Sequence, residues 1–405
     1  MAETRVPRNS RAHLTNVEGD LRADANVHID SDGTLTVSGE ARFDGNAEVV
    51  GNLECARFRS DDGTVTISGN LGVAETMVAH DGAVEVAGAL KARRVDVDRR
   101  LRIGGPAEAE RFDVGGVLEG AQTLKADSVS VGGKFHLVGR LEAREVEAGG
   151  SVELGELSIE SLEVGGAVRL GGGEVRRSIE IGGKFVARQP LVFGSLEVGG
   201  VAEFEDSAQG GSIEIGGMFE ARKDLIFDSF EVGGLGRIGG NAKGRSVAVG
   251  GKFEVRGSLS LSGAVEVGGM IAVGEAFTGE SLEVGGKVEA HHAVFAGSVD
   301  IGGAVTTQTG IKGARIRLQR KSRARGPLVG GTVELERGAR AEDVYGDRVE
   351  LDGKAEAGRI FGGTVVLRDG ASAEEISYRL SVEVHPGARV RTPPRKVETL
   401  PPFPL

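Results

Sequence analysis

Residues 178–194 read Ser178-Ile-Glu-Ile-Gly-Gly-Lys-Phe-Val-Ala-Arg-Gln-Pro-Leu-Val-Phe-Gly194. Three apolar pairs, Ile179/Ile181, Phe185/Ala187 and Leu191/Phe193, are each spaced two residues apart. Residues two apart share one face of a strand, so the stretch reads as three short strands that each send two side chains inward. Gly182-Gly183, Arg188-Gln189-Pro190 and Gly194-Ser195 separate them as corners. Gly tolerates positive φ and close backbone approach, and Pro fixes a turn. No apolar spacing of 3.6 residues occurs, which excludes a helix of this period.

The unit returns along the chain. The first Gly of a Gly-Gly pair falls at 115, 132, 149, 165, 182, 199, 216, 233, 250, 268, 285 and 302, and nine of these eleven intervals are 17. A short fixed period means one small unit stacked on itself. The expected fold class is therefore all-β, a parallel β-helix (solenoid) of about 17 residues per coil. Each strand then pairs with its equivalent about 4.8 Å above and below. The inward set should include Ile179, Ile181, Phe185, Leu191, Phe193, Ile213, Ile215, Phe219, Leu225 and Phe227.

Looser forms come first, at Leu35–Gly39, Val65–Gly69, Val84–Gly88 and Arg102–Gly105. The step from Gly104 to Gly115 is 11, which predicts a phase shift there. Beyond 302 the dialect changes: Val333, Val349, Val365 and Val382 are 16, 16 and 17 apart. The predicted organisation is a disordered tail at 1–13, looser coils at 14–114, regular coils at 115–310, a basic segment with further coils at 311–391, and a Pro-rich disordered tail at 392–405. This amounts to roughly 20 to 23 coils, a rod on the order of 100 Å. A second period of 34 is superimposed, for Phe185, Phe219 and Phe253 fall at that spacing, as do Phe193 and Phe227. A Ser four residues before the Gly pair recurs nine times, from Ser128 to Ser298, and reads as a corner hydroxyl bonding nearby backbone.

Composition narrows the function classes. Glycine is 67 of 405 residues without a collagen period, and the net charge of −11 argues against nucleic acid as the main partner. One cysteine, Cys55, makes no internal disulfide, which fits a reducing cytoplasm. The polar start, Met1 to Arg8, has no apolar signal region, and no stretch approaches the 18 apolar residues of a membrane span. No metal or nucleotide motif occurs: Gly-Gly-Lys-Phe at Lys134, Lys184 and Lys252 leads into a strand, whereas a phosphate loop opens a helix. No catalytic residue, cofactor or metal site is read, and the chain is expected not to be an enzyme.

Two segments stand apart. Residues 311–325 carry seven cations and no acid. They read either as a coil with a solvated basic edge or as a contact patch, through Arg315, Arg317, Arg320, Lys321, Arg323 and Arg325, for an acidic partner, an anionic membrane surface or a neighbouring subunit. The tail from Thr392 reads either as a spacer or as a docking motif anchored by Phe403.

Ser281-Leu-Glu-Val-Gly-Gly-Lys-Val-Glu-Ala290 and Tyr345-Gly-Asp-Arg-Val-Glu-Leu-Asp-Gly-Lys-Ala-Glu-Ala-Gly-Arg-Ile360 are similar in repeat style to the bactofilins, polymer-forming cytoskeletal proteins of bacteria and archaea. Family members are usually shorter, and many carry an apolar N-terminal membrane motif in place of this basic, polar start. The resemblance implies a right-handed, triangular β-helix that assembles end to end without nucleotide. Elementary physics points the same way. A β-helix leaves one unpaired strand edge per face at each end, and such edges template pairing. The terminal coils, near 14–40 and 365–390, are therefore the expected longitudinal contacts, with Val382 and Val384 as inward residues of the last one. The resulting expectation is a cytoplasmic, filament-forming scaffold whose partner is itself. A monomeric or oligomeric binding scaffold and a β-helix enzyme are the alternatives.

Overall fold

The computed structural model describes residues 3–402. These residues are all-β, with parallel strands stacked about 17 residues apart into about 23 turns. The chain divides into two compact units, Met1–Val201 and Ala202–Leu405. Each unit is a β-solenoid with three strands per turn. In the first unit one turn runs through Ser178–Ile181, Lys184–Ala187 and Leu191–Phe193, which we call the first, second and third faces. All ten residues of the expected inward set are buried, none more than 4% exposed.

The Gly-Gly pairs lie at the corner between the first and second faces, but not for the torsional reason. None of those between Gly115 and Gly303 has a positive φ. They are needed because coils touch there. A Cβ on Gly286 would lie 1.8 Å from the carbonyl oxygen of Gly269, and one on Gly166 would lie 2.1 Å from that of Gly150. Real Cβ atoms do not approach a carbonyl so closely, so at these positions glycine lets successive backbones stack, whereas the first Gly of some pairs, such as Gly268 and Gly285, has ordinary room.

The 34-residue period also has a steric cause. In the second unit Gly236 sits between Phe219 and Phe253 in one stacked column. A Cβ on Gly236 would lie 2.8 Å from the Phe253 ring, and one on Gly244 would lie 2.3 Å from the Phe227 ring. In this column the glycine leaves room for the rings of both neighbouring turns, whereas Phe230 stacks between Ile213 and Val247. The rings that fit this way cluster: Phe219 and Phe253 each lie 5.0 Å from Phe230, and Phe227 lies 5.4 Å from it.

Several sequence expectations need correction. No phase shift occurs at 104–115. Gly104 stacks on Ala87 and Gly115 stacks on Asp98, so the two pairs occupy different corners of an unbroken coil. Residues 3–13 are not a disordered tail, since Glu3–Val6 pairs with Asp20–Ala23 and Arg11–His13 pairs with His28–Asp30. The loose N-terminal repeat arises from longer turns, such as Leu21 paired with Ala41. Their extra corner residues take positive φ at Asn26, Gly33, Gly45, Asp62 and Gly63. The recurring serines open the first-face strands, as in Ser212–Ile215, and stack outward in register.

Near residue 319 the corner chemistry changes, which explains the second dialect. The Gly-Gly corner gives way to four-residue turns at 319–322, 336–339, 352–355, 368–371 and 385–388. The last residue of each donates its N–H to the carbonyl of the first, for example Ala339 to Glu336 at 2.9 Å and Ala355 to Asp352 at 2.9 Å. In the first four, the third residue is left-handed: Lys321, Gly338, Lys354 and Gly370. The Pro-rich tail is likewise not free throughout. Arg395-Lys396 pairs with Ser377-Tyr378, and Thr392 donates to the Glu374 carbonyl.

Candidate functional site

Among the described residues the surfaces with the clearest organisation are the faces and the ends. The first-face strands alternate, so their middle residue points outward. That position forms a continuous column. At the N-terminal end it is Arg5, Arg22, Arg42 and Arg59. An aspartate set beside it neutralises these guanidinium groups. Arg5 meets Asp24 at 3.1 Å, Arg22 meets Asp44 and Arg42 meets Asp61, both at 2.7 Å. The two arginines beside Asp44 hold its carboxyl below its usual value, against the opposing effect of its partial burial.

Further along, the same column becomes acidic. In the first unit it runs Glu147, Glu163, Glu180 and Glu197. In the second unit it contains Glu214, Glu231, Glu266, Glu283 and Asp300. Among the described residues none of these nine carboxylates has a cation within 4 Å. Stacked like charges at ~5 Å repel by about 1 kcal/mol per neighbour in water. The signal is an acidic residue at steps of 16 to 18, interrupted at Ala248, but only the pairing register shows that they stack.

The basic segment resolves into two parts. Ile311, Ile316 and Leu318 are buried in an ordinary turn, so the segment is a coil whose cations face outward. Arg315 pairs with Glu334 at 2.7 Å, and Arg317 with Glu336. Arg320, Lys321, Arg323 and Arg325 are exposed on the following corner and strand, and no described carboxylate lies within 4 Å of them. Phe403 lies outside the described residues.

The C-terminal turn is incomplete. Ser381–Val384 stacks on Thr364–Leu367, and among the described residues no strand pairs with its other edge. Val382 is half-buried, Val384 is 41% exposed and Leu380 is 64% exposed. One turn earlier Val365 and Leu367 are fully covered. Leu380 was not singled out from the sequence, because it lies at a corner outside the alternation.

The first unit also carries a groove of about 1150 Å³ along its third face. Its floor is a column of small residues, Cys55, Val73, Ala92, Ala109, Ala126 and Ala143, and paired charges such as Lys91–Glu108 and Lys125–Glu142 rim it. Burial pushes the Cys55 thiol up to about 12, helped by the Glu40 charge. The thiolate is the reactive form, so Cys55 is expected to resist iodoacetamide at pH 8 in the folded protein and to react fully once unfolded. Mass spectrometry of both samples checks this, and rapid native labelling would contradict it.

No helix is long and apolar enough to cross a membrane, and no group of three or more His, Cys, Asp or Glu that could hold a metal occurs, both statements being of the described residues. Comparison with protein-family models, curated proteins and solved structures finds no match.

Proposed function

We propose that this chain is a structural, self-assembling scaffold that forms filaments by end-to-end stacking of β-solenoids, in the manner of the bactofilins it resembles. The observation that carries this reading is the open last turn. A parallel sheet edge is left unpaired there among the described residues, with Leu380 and Val384 exposed and Val382 half-buried, whereas Val365 and Leu367 one turn earlier are fully covered. Proteins normally blunt such edges, because an unpaired ladder recruits another strand. The acidic columns support the same reading from the side: stacked carboxylates disfavour lateral contact between like faces, leaving the ends as the attractive surfaces. Assembly on this reading uses no nucleotide, because the chemistry of the joint is backbone pairing and apolar burial. The free, buried Cys55 fits a reducing cytoplasm.

The test is negative-stain electron microscopy at several protein concentrations, with and without a chelator, ATP or GTP. Filaments that lengthen with concentration and ignore the additions are expected. Single particles at every concentration, or assembly that disappears with the chelator or without nucleotide, would refute the proposal. The third-face groove supports a second reading, a binding scaffold for an extended ligand, which single particles would favour. The unpaired cations Arg320, Lys321, Arg323 and Arg325 are then the proposed contact for an acidic partner or an anionic membrane surface.

A further inference from the structure

We infer that an outward aromatic column on the third face of the second unit is a recognition site for a polyproline-II segment, and that its occupant is this chain's own tail, with Phe403 laid against Tyr345 and Phe361. This is independent of the end-to-end reading, since it uses no residue of the Ser381–Val384 edge.

The receiving surface departs from the rest of the solenoid. In the first unit the outward column of the third face is charged, with Lys91, Glu108, Lys125 and Glu142 in succession. Near the C-terminal end it turns apolar: Val329, Tyr345 and Phe361 stack in register, followed by Ser377. The residues just before them, Leu328, Val344, Ile360 and Ile376, point inward and are fully buried, so these four point outward. Val329 and Tyr345 are nonetheless only 3% and 8% exposed, and Phe361 is half-buried. Every other described phenylalanine belongs to the core. The Tyr345 and Phe361 rings lie 4.7 Å apart and nearly parallel, at 19°. That is one strand spacing, so a ring one level on would continue the stack. Ser377 occupies that level and is too small to supply it. Arg359, held by Asp343 at 2.6 Å, sits 6.0 Å from the Phe361 ring centroid and steadies the platform.

The tail supplies the argument for the occupant. Arg395-Lys396 pairs with Ser377-Tyr378 on this same face, and Val397 donates to the Tyr378 carbonyl at 2.9 Å, which delivers the chain to the column. From Arg391 to Pro402 only Pro394, Val397 and Leu400 are half-buried, and the residues between them are exposed. A step of three is the period of polyproline II, in which every third side chain lies on one side. The next residue of that series is Phe403, which itself lies outside the described residues. Pro401, Pro402 and Pro404 favour this conformation before docking, so less entropy is lost on binding. Aromatic platforms of this kind take Pro-rich segments by stacking. Reach suffices as well. Phe403 is six residues beyond Val397, about 19 Å in polyproline II, whereas Tyr345 lies two turns from Ser377, about 10 Å.

The experiment is tryptic cleavage after Lys396 in the full chain, read by mass spectrometry as release of the 397–405 peptide. The proteins are the parent, Phe403→Ala, Phe361→Ser and the double variant. A docked tail shields the bond, so each single should speed release roughly fivefold, on the scale of one aromatic contact. The double should be no faster than the faster single, because the two changes remove one and the same contact. Thermal melting of all four checks that the solenoid is intact. A second readout is acrylamide quenching of tyrosine fluorescence, which reports on this face because the chain has no Trp and its two tyrosines are Tyr345 and Tyr378. Quenching should rise in Phe403→Ala. Singles that release the peptide at the parental rate overturn the proposal. So does a double whose acceleration is the product of the two singles, since the residues then act apart. Protection that fades on dilution would place the tail on a second copy and overturn its assignment to the same chain.

Discussion

Replacing Val382 by aspartate is expected to abolish long assemblies or cut them to short pieces. Val382 stacks on the fully buried Val365 and is itself only half-covered, so on the proposed end-to-end reading a copy capping this edge would bury it. A carboxylate there would have to be desolvated inside the joint without a partner, which costs several kcal/mol. Such a loss at one joint lowers its association constant at least a hundredfold, since each 1.4 kcal/mol is a factor of ten. Val384→Asp should act in the same way. The control is removal of 398–405, which takes away no paired strand and should leave filament length unchanged. The whole segment from 392 is a poorer control, because Arg395-Lys396 covers the third face of the last turn. Electron microscopy of both variants beside the parent decides the matter. Filaments that survive Val382→Asp but vanish with 398–405 would place the joint in the tail and refute β-stacking.

Phe219→Ala should destabilise the solenoid locally by about 3–5 kcal/mol. Phe219 is fully buried, its ring centroid lies 5.6 Å from that of Phe204 and 5.0 Å from that of Phe230, and its column neighbour one turn on is Gly236. A glycine has no side chain to swing into the void, so the cavity stays open and its full cost is felt. Because each turn of a repeat protein leans mainly on its neighbours, the loss should be local. Hydrogen exchange should quicken most between about residues 202 and 255 and little in the first unit. A measured loss below about 1 kcal/mol would show that the layer is not packed as described.

Much of this was legible in the residues because a solenoid is close to one-dimensional. Ile213 and Ile215 had to share a face, and a period of 17 with three apolar pairs leaves little choice of architecture. What escaped were relations between turns. The outward columns, such as that from Arg5 to Glu197 in the first unit, consist of residues scattered along the sequence, brought into line by pairing steps that vary from 16 to 20. An error of one residue in any step would move a side chain to the opposite face. The basic run at 311–325 looked like a single patch, yet Glu334 and Glu336 of the next turn neutralise Arg315 and Arg317 and leave the corner cations without partners.

The sequence by itself therefore determined the all-β class, the stacked turn and the inward set, because strand alternation and corner residues are local properties. The tertiary structure decided why glycine is required at the corners, where carbonyls of adjacent turns leave no room for a Cβ. It also decided how Phe219, Gly236 and Phe253 share one column, which charges are answered, and which edge is left open at Ser381–Val384 among the described residues. Those depend on what lies one turn away in space, some 17 residues distant in the chain, where the register alone fixes the neighbours.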